Sequence, residues 1–126
     1  MATSRRSRFV PDRGDMIYIQ HSPHVGREMP GMHPMLVFSS KVFNERTGIV
    51  LGFPMSHAEF NADNPFAVPV IGPKNEVSYI LAFQPKSFDW RERRAVLHPW
   101  GGGHSKALVV ALRKLDLIGG ICTDQR

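Results

Sequence analysis

The chain is poor in cysteine and has no long hydrophobic run. Its single cysteine, Cys122, excludes an intramolecular disulfide and a cysteine-based structural zinc site, and it suits a reducing compartment. The longest unbroken apolar stretch, residues 107–112, is far shorter than the about 20 residues that cross a bilayer. Pro11 and Asp12 follow the N-terminal arginines where a signal peptide would need its apolar segment. We therefore expect a cytoplasmic protein that is neither secreted nor membrane-bound.

Positive charge is in excess at both ends of the 126-residue chain. Sixteen lysines and arginines stand against 11 aspartates and glutamates, which gives a net charge of +5. Residues 1–27 carry +3, residues 28–80 carry −2 and residues 81–126 carry +4. This distribution is typical of a protein that meets a polyanion, most commonly nucleic acid. The alternative is a solvated basic arm that contributes only solubility.

The length and composition predict one globular domain. With 42% hydrophobic and 21% charged residues, the chain has enough apolar side chains for a core but not enough length for two. We place the domain in residues 15–120, after a basic N-terminal arm in residues 1–14 and before a tail in residues 121–126.

Short strands dominate the predicted secondary structure. Runs of β-branched and aromatic residues, bounded by glycine and proline, predict strands near residues 16–19, 35–39, 49–53, 66–70, 78–83 and 95–98. Pro54 is expected to end the third strand, and residues 40–46 form a helical turn or a loop. One helix is predicted, with Ser105 as its N-cap and a stop at residues 119–120. This pattern indicates a mainly β fold with a C-terminal helix that caps a small antiparallel barrel.

Histidine is the first candidate for chemistry, because its ordinary pKa near 6.5 suits proton transfer. His33 falls in a predicted loop that is rich in glycine and proline, where functional side chains are commonly displayed. Arg27 and Glu28 belong to the same loop. A carboxylate, a cation and an imidazole can together transfer protons and stabilise a phosphate if the loop brings them to one point. The alternative is that the two charges are simply solvated.

Three further features favour structural roles. His21 and His24 have no third ligand close in sequence, so no metal site is expected. The glycines at 101–103 lack the lysine and hydroxyl residue of a nucleotide-binding loop, so we interpret them as a connector rather than a phosphate cradle. Phe53 is expected in the core, whereas Trp90 stays open between packing and stacking on an unpaired base.

Six sequence blocks, in order, resemble the MazF/PemK/Kid toxins, the endoribonuclease half of bacterial toxin–antitoxin pairs. They run from residue 10 to residue 119 and read VPDRGDMIYI, SPHVGREMPGMHPMLVFS, FNERTG, GFPMS, QPKSFDWRER and SKALVVALRKLDLIG. The resemblance implies an SH3-like small antiparallel barrel of the CcdB/PemK type. It also implies a homodimer, metal-independent cleavage of single-stranded RNA without a cofactor, and inhibition by a cognate antitoxin protein.

The resemblance also implies roles for individual residues. Glu28 matches the family's loop glutamate, while His33 and Ser56 fall where the catalytic arginine and threonine are expected. These three are the predicted catalytic residues. The predicted substrate-binding residues are Arg27, Gln84, Lys86 and Ser87.

The chain departs from the family pattern at its most important position. An imidazole at His33 replaces a permanent cation, and Phe83 replaces a family aspartate. We therefore expect His33 to act as general acid or base, with Arg27 or a C-terminal basic residue supplying positive charge. Attack by a 2′-hydroxyl would leave a 2′,3′-cyclic phosphate and a 5′-hydroxyl. The alternatives are a catalytically weakened RNA- or antitoxin-binding protein, and a relative of the gyrase poison CcdB, which the GREMPGMHP block disfavours.

Overall fold

The computed structural model describes residues 9–21 and 31–120. In these ranges the chain forms β1 (Met16–Gln20), β2 (Met32–Val37), α1 (Lys41–Thr47), β3 (Ile49–Ser56), a 3₁₀ helix (Glu59–Asp63), β4 (Ala67–Ile71), β5 (Val77–Leu81), β6 (Lys86–Asp89), β7 (Val96–Leu97) and α2 (Ser105–Gly119). His24, Arg27 and Glu28 lie outside the described residues, as do the expected tail and most of the expected arm.

Strand β3 pairs with three other strands in an antiparallel sheet. Residues 49–52 of β3 pair with β6, residues 52–54 pair with β2, and residues 55–56 pair with β5. The strands follow the order β4-β5-β3-β2-β1-β7, and no pairing joins β4 to β7 within residues 9–21 and 31–120. The expected mainly β fold with a C-terminal helix is therefore confirmed. Neither α1 nor α2, the helices of these ranges, has the length and apolarity needed to cross a membrane.

Two apolar cores cover the two faces of the sheet, because successive side chains of a strand point to opposite faces. The first core contains Leu36 and the fully buried Phe53, and α2 covers it with Leu108 and Ala111. The second core collects the alternate residues of the same strands, namely Ile17, Ile19, Met35, Val37 and Val50, together with Trp90. Burying a side chain such as that of Phe53 stabilises the fold by about 1.5–3 kcal/mol.

Both α-helices end at a glycine in the left-handed conformation. Ser40 caps α1 by accepting a hydrogen bond from the backbone N–H of Phe43, and Gly48 ends it with a left-handed φ of 77°. Of the two conformations that the sequence allows for residues 40–46, a helical turn or a loop, the structure has the helical one. The predicted N-cap of α2 is wrong by one residue, because His104 is the N-cap and Ser105 is the first helical residue.

Two predicted strand limits are also wrong, and one strand, β6, was not predicted. Strand β3 continues through Pro54 to Ser56, and β2 begins at Met32, so His33 lies on a strand instead of in a loop. Strand β6 had no sequence signal of its own. Pro54 is tolerated because it occupies the last position of β3 that pairs with β2, where the missing N–H interrupts no further rung.

Candidate functional site

Strands β2 and β3 separate to form a fork, and the candidate site lies at this fork. Their ladder ends where Met35 faces Pro54. Beyond that rung, β2 pairs with β1 and β3 turns to pair with β5. Pro34 and Pro54 have no N–H to donate, so the chemistry of the sequence favours separation at this point. Continuing the register by two residues on each strand leads to His33 and Ser56, which therefore lie on the two arms of the fork.

His33 is an exposed side chain on β2, opposite Ile19 of β1. It points to the same face as Met35, since the two residues are separated by two positions. Gly31 makes room for it, because a Cβ atom at Gly31 would come within 2.5 Å of His33 Nε2. The absence of a side chain at Gly31 thus lets the imidazole lie close over the backbone that precedes β2.

Ser56 has a hydroxyl group whose acceptor capacity is already used. Its Oγ accepts hydrogen bonds from the backbone N–H of Ala58 at 3.1 Å and from Nδ2 of Asn61 at 3.3 Å. A hydroxyl has two acceptor lone pairs and one donor. The remaining capacity of Ser56 is therefore donation of its own proton, which suits a phosphate oxygen. Asn61 is buried, with 4% of its surface exposed, and Nδ2 also donates to the carbonyl oxygen of Ala58 at 3.1 Å.

A second imidazole, that of His21, lies beside His33. The two ring centroids are 5.4 Å apart, and the His21 ring is 5.1 Å from that of Phe88 on β6. Arg93 stacks on Phe88, with its Cζ atom 4.5 Å from the centre of the Phe88 ring. Nη1 of Arg93 donates to the carbonyl oxygens of Gln20 and His21, each at 2.9 Å. The guanidinium group therefore anchors the end of β1 at the site.

The electrostatic environment of this group is positive. Burial first, and then the nearby positive charges of His33, Lys86 and Arg93, together lower the pKa of His21 from 6.5 to about 4. Lys86 is exposed on β6 opposite Gly52, on the face that carries Phe88. An anion such as a phosphodiester would reduce this mutual repulsion, so the arrangement favours anion binding.

The other predicted site residues have separate positions. Gln84 is exposed in the turn between β5 and β6, where its N–H donates to the carbonyl oxygen of Leu81 at 3.0 Å. Ser87 lies on β6 between Lys86 and Phe88, and strand alternation directs it to the opposite face. The predicted contribution of Arg27 and Glu28 cannot be placed, since both lie outside the described residues.

Sequence reasoning missed His21, Arg93 and Asn61 as parts of this site. His21 was considered only as a metal ligand, and within residues 9–21 and 31–120 no group of three histidine, cysteine or acidic side chains could hold a metal ion. Trp90, which the sequence left open, packs in the second core and donates from Nε1 to the carbonyl oxygen of Asn44 at 2.7 Å. Its indole is thus not a base-stacking surface, and the expectation of a core position for Phe53 is confirmed.

Comparison with known proteins assigns the chain to a family. The sequence profile of the family described as "PemK-like, MazF-like toxin of type II toxin-antitoxin system" matches residues 12–116. The chain belongs to this family. It is 35% identical to the endoribonuclease toxin MazF of Escherichia coli strain K12 over 112 residues, which are 89% of this chain and 90% of that protein. The resemblance inferred from the six sequence blocks is therefore confirmed.

Solved structures of this toxin family have the same fold. The crystal structure of MazF from Deinococcus radiodurans superposes with a TM-score of 0.76 at 28% identity, covering 90% of this chain and 100% of that chain. The MazE-MazF structure from the same organism gives a TM-score of 0.79 at 28% identity, covering 90% and 99%. The family profile, which matches residues 12–116, includes both arms of the fork.

Proposed function

We propose that the protein is an endoribonuclease toxin that cleaves single-stranded RNA at the fork between β2 and β3. The observation that supports this proposal is the strand register, which puts an imidazole and a hydroxyl on the two arms of the fork, with two cations near the His21 ring beside His33. The relatives named endoribonuclease toxin MazF support it. The reaction needs no metal ion in this proposal, and its products carry a 2′,3′-cyclic phosphate and a 5′-hydroxyl.

His33 is the proposed acid–base group. Cleavage by 2′-hydroxyl attack requires removal of the 2′ proton, stabilisation of the charge on phosphorus oxygens, and protonation of the 5′ oxygen as the P–O5′ bond breaks. A histidine changes protonation state in the physiological range, whereas the arginine expected from the family pattern stays charged. Glu28 remains the proposed partner that orients His33 or takes up the second proton.

Ser56 and the cations bind the phosphate in this proposal. The Ser56 O–H donates to a non-bridging oxygen, and its two accepted hydrogen bonds hold the oxygen atom in place before substrate arrives. Lys86 and Arg93 supply the positive charge that His33 does not supply permanently, with Arg27 as a further candidate. Gln84 remains a proposed substrate contact, while Ser87 is left out because it faces away from Lys86.

The proposal also covers the fold, the oligomeric state, the antitoxin partner and the cellular location. The change of partners along β3 supports an SH3-like small antiparallel barrel of the CcdB/PemK type, formed by a domain of residues 15–120 with an N-terminal arm and a short tail. We propose a cytoplasmic homodimer that a cognate antitoxin inhibits. Exposed apolar side chains on the edge strand β7, Val96 and Leu97, support a dimer contact, which light scattering of the purified protein would test.

The proposed activity is tested by incubating the protein with a long single-stranded RNA in excess chelator and mapping the new 5′ ends. We expect discrete 5′-hydroxyl ends, a loss of about 100-fold or more in rate for His33→Ala, and little change for His57→Ala. His57 is a matched control because it is also exposed, but its ring bonds to the carbonyl oxygen of Val77 on β5. Intact RNA with folded wild-type protein would favour the binding-only alternative.

A further inference from the structure

The imidazole of His21 has no role in the mechanism above, although its ring centroid is 5.4 Å from that of His33. Its ring lies between those of Phe88 and His33, and Arg93 holds its carbonyl oxygen. His21 directly follows β1, and Nη1 of Arg93 donates to its carbonyl oxygen, so the backbone of His21 is held from both sides. His33, in contrast, is exposed and can turn about its side-chain bonds.

The Nε2 atom of His21 is buried and has no hydrogen-bond partner among the described residues. An unpaired buried polar atom destabilises a fold, so most such atoms have a hydrogen-bond partner. The adjacent His33 ring can provide one, because an imidazole carries N–H groups that donate. With the ring centroids 5.4 Å apart, the two rings are close enough for an N–H···N hydrogen bond when a nitrogen of His33 faces Nε2 of His21.

We propose that His21 is a positioning residue for His33, with Nε2 of His21 accepting a hydrogen bond from the His33 ring during the reaction. This bond fixes which nitrogen of His33 carries the proton and directs the other nitrogen towards the scissile phosphate. A base oriented by a third group is a common arrangement in proton-transfer sites. The inference rests on the proposed ribonuclease function for its kinetic consequence, but not for the hydrogen bond itself.

The surroundings of His21 suit its Nε2 to accept a hydrogen bond rather than to carry a proton. Burial is the main cause that opposes protonation of the ring, and His33 on β2, Lys86 on β6 and Arg93 after β6 add positive charge near it. A neutral imidazole has one N–H and one lone pair, so the Nδ1–H tautomer leaves Nε2 as an acceptor. His21 therefore stays neutral at neutral pH and does not compete with His33 for the proton that the reaction transfers.

Two substitutions at His21 separate hydrogen bonding from packing. His21→Gln keeps a polar atom near the position of Nε2, whereas His21→Phe keeps an aromatic ring against Phe88 and loses the acceptor. We expect kcat to fall about 10- to 100-fold in His21→Phe with a smaller change in KM, a range typical for loss of the partner of a functional histidine. His21→Gln should recover most of this loss. A packing role would give the opposite order, with His21→Phe the more active variant, and that order would overturn the proposal.

The ring nitrogens of His33 give a test that does not require cleavage. Long-range ¹H–¹⁵N spectra of the folded wild-type protein, with a non-cleavable 2′-deoxy oligonucleotide bound, should show one dominant tautomer of His33 and an unprotonated Nε2 on His21. His21→Phe should show mixed His33 tautomers, and His57→Gln should match wild type. Unchanged His33 tautomers in His21→Phe would overturn the proposal. Failure of the wild-type protein to cleave RNA would remove the proposed function, while these spectra would still decide the role of His21.

Discussion

Replacing Asn61 by alanine should impair both stability and cleavage through two separate hydrogen bonds. Asn61 is buried, and its Nδ2 donates to Ser56 Oγ and to the carbonyl oxygen of Ala58. At about 1 kcal/mol for each bond, the free energy of unfolding should fall by about 2 kcal/mol. For a domain of this size the melting temperature should then fall by about 8 °C. Freeing one lone pair of Ser56 lets its O–H turn away from the phosphate, so kcat should fall about tenfold.

The kinetic effect is measured with a short single-stranded RNA, in Asn61→Ala, Ser56→Ala and the double variant. If Asn61 acts through Ser56, its substitution should not lower kcat further when Ser56 is already alanine. Asn64→Ala is the matched control, because Asn64 Oδ1 accepts from the N–H of Phe66 in the same loop without contacting Ser56. Equal losses from Asn61→Ala in both backgrounds would refute the reasoning, as would a stability loss with unchanged kcat.

Three further predictions concern the imidazoles and the space around them. Gly31→Ala should melt within about 2 °C of wild type but cleave more slowly, because the new Cβ displaces only the mobile end of His33; normal cleavage would argue against the observed ring position. His33→Arg should alter the dependence of the cleavage rate on pH, because a guanidinium group does not exchange its proton, so an unchanged pH profile would assign proton transfer elsewhere. Because the pKa of His21 is lowered to about 4, the unfolded chain binds more protons between that value and 6.5, and stability should fall as pH falls through this window. Urea titrations should show that His21→Phe removes about 1–2 kcal/mol of that dependence, after allowance for a half-buried ring, and an unchanged slope would contradict it.

Helices and strands with a clear periodic pattern of apolar residues could be predicted from the sequence, whereas those that depend on hydrogen bonds to another strand could not. Helix α2 shows apolar residues at helical spacing and ends in a glycine, and β1 is a run of β-branched and aromatic residues, so local sequence identifies both. Strand β6 is four residues long and has one apolar side chain of use to the core, Phe88. Its conformation follows from hydrogen bonds to β3, and the sequence of residues 86–89 alone does not indicate this pairing.

The candidate site was predictable in its residue types but not in its arrangement. Position relative to the family pattern singled out His33 and Ser56, and chemistry explains both choices. The contact between His21 and His33 depends on the register of β1 with β2, in which Gln20 faces Met32. A shift of one residue would move one of these rings to the other face of the sheet. Asn61 belongs to a 3₁₀ helix whose role is visible only through its hydrogen bonds to Ser56 and Ala58.

With an imidazole at position 33, permanent positive charge and proton transfer are expected from different residues. A guanidinium group provides permanent charge and two parallel hydrogen bonds to a phosphate, but its pKa prevents proton transfer. His33 can transfer the proton but does not carry a permanent charge. In this structure the permanent charges belong to Lys86 and Arg93, and Arg93 already directs Nη1 to two carbonyl oxygens. Lys86 is therefore better placed than Arg93 to bind the phosphate. RNA affinity and its salt dependence should depend on Lys86, whereas the rate of proton transfer should depend on His33.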